Sequence, residues 1–268
     1  MATSSISFSV NGNVVTVDNP DPSVTLNDYI RFSTRYTGTK IGCGEGGCGA
    51  CAVVISRIDP NTNEWSHSTC NSCLRPLVAC DGMAITTTEG LGSKASGLHP
   101  VQKRIADFNG SQCGFCTPGM VMSTYAALMR ASDESKAGAE PAELALSMEE
   151  AFDGNICRCT GYRPILEAAR SLVDESIVDQ VGLGCTTGVR EPAERGAVAA
   201  ESPVVPEQLS EATPLGAKKF AGKTLTWLRA TDVASALALI AEHGDNARFV
   251  AANTSVGVYK DQPETILV

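Results

Sequence analysis

Eight of the eleven cysteines in this 268-residue chain fall into two tight groups, and those groups constrain the fold more than any other feature. Cys43, Cys48 and Cys51 follow one another as C-x4-C-x2-C, with Cys73 a fourth further on. That spacing suits a [2Fe–2S] cluster held by four thiolates. The second group opens with Cys113 and Cys116, a C-x2-C pair, and is answered by Cys157 and Cys159 as C-x-C. By itself the second group also admits a four-cysteine zinc site. Zinc ribbons usually repeat C-x2-C, however, and a cluster loop in the same chain tips the balance to iron and sulfide.

Gly42, Gly44, Gly46, Gly47 and Gly49 interleave with the first three cysteines. A loop that wraps three sulfurs around a small inorganic core must turn sharply, and glycine permits the close backbone approach this needs. Amides brought near the sulfurs also tune reduction potential. The alternative, a glycine-rich turn with incidental buried thiols, does not account for the spacing.

Three stretches, in order, carry a family resemblance: Gly42 to Cys51; Gln112-Cys113-Gly114-Phe115-Cys116-Thr117-Pro118-Gly119; and Gly154-Asn155-Ile156-Cys157-Arg158-Cys159-Thr160-Gly161-Tyr162-Arg163-Pro164. They closely resemble the amino-terminal part of the molybdenum hydroxylases, the xanthine dehydrogenases and aldehyde oxidases. The resemblance runs from about Ile6 to Val173 and resumes near Trp227. It implies an α+β chain: a β-grasp, ferredoxin-like [2Fe–2S] domain over residues 1–93, a helical-bundle [2Fe–2S] domain over 94–180, a linker over 181–222, and the incomplete start of a flavin domain over 223–268. It implies Cys43, Cys48, Cys51 and Cys73 as ligands of one cluster, and Cys113, Cys116, Cys157 and Cys159 as ligands of the other. Gln112 and Cys159 would also touch a molybdopterin. Ala252, Asn253, Thr254 and Ser255 would belong to a loop that cradles the FAD pyrophosphate, with Ala252 standing where a glycine is usual. Arg158 and Arg163 flank the second site, as partial counter-charges or as ordinary surface arginines. The run Asn253 to Lys260 looks slightly more like a plant aldehyde oxidase.

A full-length relative of this kind would hydroxylate an aldehyde or N-heterocycle at molybdenum and pass electrons through both clusters to FAD. The resemblance thus expects FAD and molybdenum domains as partners, on the same or a separate chain, and a homodimer at full length. A separate iron–sulfur subunit is the alternative.

Composition agrees. A net charge of −9 argues against nucleic acid or an anionic membrane surface as partner. No apolar run is long enough to span a bilayer, and no signal peptide opens the chain. Cysteines without a leader fit a reducing compartment, with the cytoplasm as default. Cys70 competes with Cys73 as ligand, but Cys73-Leu74-Arg75-Pro76 holds the family position. Cys80 reads as a buried apolar residue and Cys185 as a free thiol. His67, His99 and His243 share no ligand spacing.

Along the chain, Ile6, Phe8 and Val10 alternate with polar residues, then Asn11-Gly12, then Val15 and Val17, a hairpin pattern. Thr25 should cap a helix from Leu26 to about Thr34, with strands over Ala52–Ile55 and 85–88. Pro100, Pro118 and Pro164 should each start a helix, and Ser147-Met148-Glu149-Glu150 should open another through a capping box. The stretch from Ala131 to Pro141 reads as a surface loop. Beyond the linker, Leu225–Leu228 and Phe249–Ala251 read as strands. Asp232 to Glu242 reads as a helix with Val233, Leu237 and Ile240 inward, ended by Gly244.

Overall fold

The computed structural model describes residues 4–59, 62–136, 138–174, 201–209, 216–251, 253–258 and 265–267. The chain is a mixed α+β protein. Strand β1 (Ser5–Val10) returns as β2 (Asn13–Asp18) through Asn11 and Gly12, both at positive φ, the turn geometry that matches strand twist. Thr25 caps α1 (Leu26–Ser33), its hydroxyl oxygen accepting from the Asp28 amide at 3.1 Å while the Asp28 carboxylate reaches back. β3 (Ala52–Ile58), β4 (Trp65–Asn71) and β5 (Ala84–Thr86) complete a five-stranded sheet in the order β2-β1-β5-β3-β4. β1 and β5 run parallel and the other neighbours antiparallel.

β3 explains how the first two regions join. Val53 and Ile55 enter the core that α1 closes with Leu26 and Ile30. Ala52 and Val54, on the opposite face, enter a second core built by helices. A strand buried on both faces reads as a continuous apolar run, as Ala52 to Ile55 does.

After a single turn, α2 (Thr88–Leu91), come α3 (Pro100–Asp107), α4 (Thr117–Lys136), α5 (Pro141–Glu150) and α6 (Arg163–Arg170). Their shared interior includes Val101, Ile105, Leu128, Leu144, Ile165 and Leu172, with Met120, Met122 and Met148 filling between them. Three expectations are corrected here. The strand expected over 85–88 stops at Thr86, and Thr88 begins α2 instead. The surface loop expected from Ala131 is helical to Lys136, with Ala131 itself in the core. The capping box expected at Ser147 is interior to α5, which begins at Pro141. Proline at a first helical position, followed by Leu144 and Met148 four apart, outweighs a Ser-x-x-Glu match. Strand β4 was not expected, because its sequence Trp-Ser-His-Ser-Thr-Cys-Asn has no apolar alternation.

The linker expected over 181–222 is shorter among the described residues. β6 (Lys218–Ala221) already pairs antiparallel with β7 (Leu225–Arg229). Residues near 201–209 touch both earlier regions: the Tyr125 hydroxyl donates to the Glu201 carbonyl at 2.6 Å, and Val204 lies over Gly12. β8 (Ala247–Arg248) and β9 (Thr265–Leu267) extend the second sheet in the order β6-β7-β9-β8. The strand expected at Phe249–Ala251 therefore lies two residues earlier. α7 (Val233–His243) has its Asp232 cap and its Gly244 stop, but Val233 and Leu237 face solvent rather than a core.

Phe220 and Trp227 bury themselves in the core of the first sheet. Beside them the Asp81 carboxylate accepts from Lys218 Nζ and Arg229 Nη1, each at 2.7 Å, and from the Ser7 amide at 2.8 Å. The hairpin β6–β7 is thereby part of the first region's packing.

Candidate metal centres

The first group of cysteines lies on the loop from Gly42 to Cys51 and on the turn after β4. Amides of Glu45 and Gly47 point at Cys43 Sγ at 3.4 and 3.3 Å, and the Cys43 amide points at Cys48 Sγ at 3.4 Å. A Cβ on Gly42 would stand 2.7 Å from Cys48 Sγ, so the loop needs glycine there. The Cys73 turn is held by buried polar bonds. Ser72 Oγ donates to the Cys51 carbonyl at 2.6 Å and accepts from Asn27 Nδ2 of α1 at 2.9 Å, while Asn71 Nδ2 donates to the Gly46 carbonyl at 3.0 Å.

The second group stands where helices end. Cys116 directly precedes α4, Cys113 lies three residues earlier, and Cys157 and Cys159 sit between α5 and α6. Tyr162 adopts a positive φ of 69°, rare for an aromatic residue, and its hydroxyl accepts from the Cys157 amide at 3.0 Å. Thr160 Oγ1 lies 3.1 Å from Cys157 Sγ. The exposed Phe115 ring leans from this site over Gly42 of the first.

Thiol acidity reveals the contacts within each site. Cys51 is pushed up by its hydrogen bond to Cys73, then by burial. Burial works to raise Cys43, but the Glu45 amide, the Cys48 thiol and the Gly47 amide outweigh it and hold Cys43 low. Cys116 is pushed up to about 12 by burial and by its bond to Cys157. Cys157 is held low, because Thr160 and Cys116 overcome the opposing effect of burial. Cys159 is raised by its bond to Cys113. Within each site the thiols act on one another: Cys43 with Cys48, and Cys51 with Cys73 and Cys48; Cys116 with Cys157 and Cys113, and Cys159 with Cys113 and Cys157.

This arrangement tests what the residues fit. Four thiols at one site fit a two-iron core with two thiolates on each iron. Four thiols at one site also suit a single zinc ion, at roughly 2.3 Å from each sulfur. Metal binding would displace the shared thiol protons.

Cys70 lies on β4 opposite Val53, on the edge of the first core, and burial pushes it up to about 11. Cys80 is fully buried and pushed up to about 12. Cys185 and Ala252 lie outside the described residues. Gln112 is exposed beside Cys113, and Cys159 is exposed on the same side of the second site. Arg163 is a surface residue paired with Glu167 at 2.7 Å. Asn253, at a φ of 58°, donates from Nδ2 to the Leu74 carbonyl at 2.6 Å, which sets its turn against the first site. Thr254 and Ser255 are exposed. Asn27, Ser72, Asn155, Thr160 and Tyr162 were given no role from sequence. Asn155, Thr160 and Tyr162 stand in the motif around Cys157 and Cys159 and Ser72 stands beside Cys73, which was the signal; Asn27, far from any cysteine in sequence, had none.

Comparisons with known proteins follow the same division. The family described as "2Fe-2S iron-sulfur cluster binding domain" matches residues 8–78, and "[2Fe-2S] binding domain" matches residues 87–170. A xanthine dehydrogenase of Drosophila subobscura is 43% identical over 277 residues, covering 96% of this chain and 20% of its own length. An abscisic-aldehyde oxidase of Arabidopsis thaliana is 45% identical over 178 residues, covering 66% of this chain and 13% of its own. Quinoline 2-oxidoreductase from Pseudomonas putida 86 superimposes with a TM-score of 0.51 at 30% identity, covering 67% of this chain and 98% of that one. The chain spans about one fifth of the length of the xanthine dehydrogenase it matches.

Proposed function

The chain belongs to the molybdenum hydroxylases, the family of the xanthine dehydrogenases and aldehyde oxidases, and from this we propose that it forms the electron relay of such an enzyme. Its two regions are [2Fe–2S] domains; we read the first as a β-grasp and the second as a helical bundle. When bound, the clusters supply reversible one-electron chemistry. Cys43 and Cys48 would hold one iron of the first cluster, and Cys51 and Cys73 the other. Cys116 with Cys157, and Cys113 with Cys159, would do the same in the second. The observation that carries this reading is the gathering of eight cysteines into two sites within the two matched [2Fe–2S] regions, with the Glu45, Gly47 and Cys43 amides aimed at sulfur.

The exposed face of the second site, where Gln112 and Cys159 stand, is where a molybdopterin would approach. Asn253, Thr254 and Ser255, in the 253–258 turn where Asn253 has a positive φ, and Ala252 by its place in the sequence, would face FAD phosphate oxygens in this reading. The enzyme containing this chain would hydroxylate aldehydes or N-heterocycles, with its FAD and molybdenum domains on the same polypeptide and two copies in the assembly. The continuous match to a xanthine dehydrogenase over 96% of the chain favours one polypeptide. The slight preference for an aldehyde oxidase drawn from residues 253–260 lies outside what these matches decide between the two enzyme types. The stand-alone subunit remains the second reading, favoured by the near-complete coverage of the quinoline oxidoreductase chain. A cytoplasmic location fits cysteines that are not joined in disulfides among the described residues, and among those residues no helix is long and apolar enough to cross a membrane.

Anaerobically purified protein should contain about four irons and four acid-labile sulfides per chain, and its brown colour should bleach with dithionite. Colourless, zinc-loaded protein would overturn the relay.

A further inference from the structure

The two candidate centres meet across a narrow seam, and Asn155 sits in it. Its side chain is 8% exposed. Its Oδ1 accepts from Ser123 Oγ of α4 at 2.8 Å, and its Nδ2 donates to the Gly49 carbonyl in the first cysteine loop at 3.3 Å. The next amide, that of Ile156, donates to the Cys48 carbonyl at 3.0 Å. Cys157 follows immediately. A covalent path with one hydrogen bond therefore runs from Cys48 Sγ of the first site to Cys157 Sγ of the second.

There is no slack in this contact. A Cβ on Gly49, whose φ is +67°, would stand 2.5 Å from the Gly154 carbonyl oxygen and 2.6 Å from Asn155 Nδ2. From the other side, a Cβ on Gly119 of α4 would stand 2.3 Å from the Gly49 carbonyl oxygen. Backbone meets backbone at Gly49 from two directions, and Asn155 is the side chain that bonds both partners at once. A buried amide with donor and acceptor both satisfied fixes geometry, since losing either bond leaves a buried polar group unpaired.

We infer that Asn155 is a positioning residue that sets the separation and electronic contact of the two metal centres by holding the Ile156 amide on the Cys48 carbonyl. This rests on the relay reading. If Asn155 lets go, the Ile156–Cys48 bond lengthens, and a gap replaces the bonded path. Coupling between centres falls more steeply across a gap than along bonds, so the effect should appear between the clusters rather than within either.

The test uses the full chain with both clusters loaded. Iron and sulfide are measured first, then the low-temperature electron paramagnetic resonance spectrum of the fully reduced protein, where two nearby reduced clusters split each other's signals. Asn155→Ala should keep its iron while the splitting narrows or is lost and the two midpoint potentials shift relative to each other. Asn155→Asp, which keeps the Ser123 bond but sets a carboxylate against the Gly49 carbonyl, should do the same. Ser123→Ala, which removes one bond only, should give a smaller narrowing, and it decides the matter if the Asn155 variants fail to load iron. Arg163→Gln, on the surface of the second region, should leave the splitting unchanged. Wild-type splitting and potentials in a fully loaded Asn155→Ala or Ser123→Ala protein would overturn the inference. A wild-type chain without two clusters would instead overturn the relay itself.

Discussion

The two candidate centres are built in opposite ways. The first takes three of its cysteines from one short loop, and only Cys73 arrives from elsewhere, steered by the bonds among Asn27, Ser72 and Cys51. The second takes two cysteines from before α4 and two from before α6, so it exists only once the helices have packed. Amides tune the first, through Glu45 and Gly47. In the second, the Thr160 hydroxyl lies against Cys157 Sγ and the Tyr162 hydroxyl takes the Cys157 amide. A site made by a loop is sensitive to backbone shape; a site made by helix ends is sensitive to whatever holds the ends.

Replacing one proposed ligand in each region is the strongest way to break this comparison. Cys51→Ser and Cys157→Ser should each remove about half of the iron and sulfide while the other centre keeps its spectrum. If either variant emptied both centres, the two could not be treated as separately assembled. Gly42→Ala comes next. Its new methyl group falls 2.7 Å from Cys48 Sγ, so the first centre should load poorly and the second normally, as metal analysis and visible spectra would reveal.

Asp81→Ala tests how far the hairpin β6–β7 supports the first region. It leaves Lys218 and Arg229 facing a buried position without their partner, at a cost of about 3 kcal/mol in denaturant unfolding. Burial opposes the charge on Asp81, but Lys218, Arg229 and the Ser7 amide together hold its carboxyl below the ordinary value. Its stabilising effect is therefore complete above the unfolded carboxyl pKa, about 3.9. It is lost as pH falls through the depressed folded value. Unfolding curves of wild type and Asp81→Ala should accordingly converge only in strong acid. The smallest effect belongs to Tyr162→Phe, which removes the acceptor for the Cys157 amide. About 1 kcal/mol of stability and a modest change in the second centre's potential are expected, with the first centre untouched.

The parts legible in the sequence were those fixed by local rules. The Asn11-Gly12 hairpin, the Thr25 cap, the prolines that open α3 and α6, and the Gly244 stop of α7 all stand as their residues suggested. What was not legible depended on partners distant in sequence. β4 is polar because it is an edge strand, and only β3 beside it makes it a strand. Lys218–Ala221 looked like linker because its one strong apolar residue, Phe220, finds its place in another region's core. The cysteine spacing grouped eight thiols into two sites but could not tell which sulfur faces which; at the second site that follows from how α4 and α6 come together. Val233 and Leu237 have the periodicity of an inward face, yet periodicity says only that a face is apolar, not that something covers it.

The docking of β6 and β7 bears on how such enzymes can be divided among genes. Phe220, Trp227 and the Asp81 ion pairs recognise the first sheet through side chains. None of those contacts requires a peptide bond between the second metal region and β6. If the chain were cut there, the hairpin and the sheet would still be complementary, and only the high effective concentration that a tether supplies would be lost. Fusion and fission of the polypeptide are then nearly interchangeable for this interface, as long as the two pieces are made together in sufficient amount.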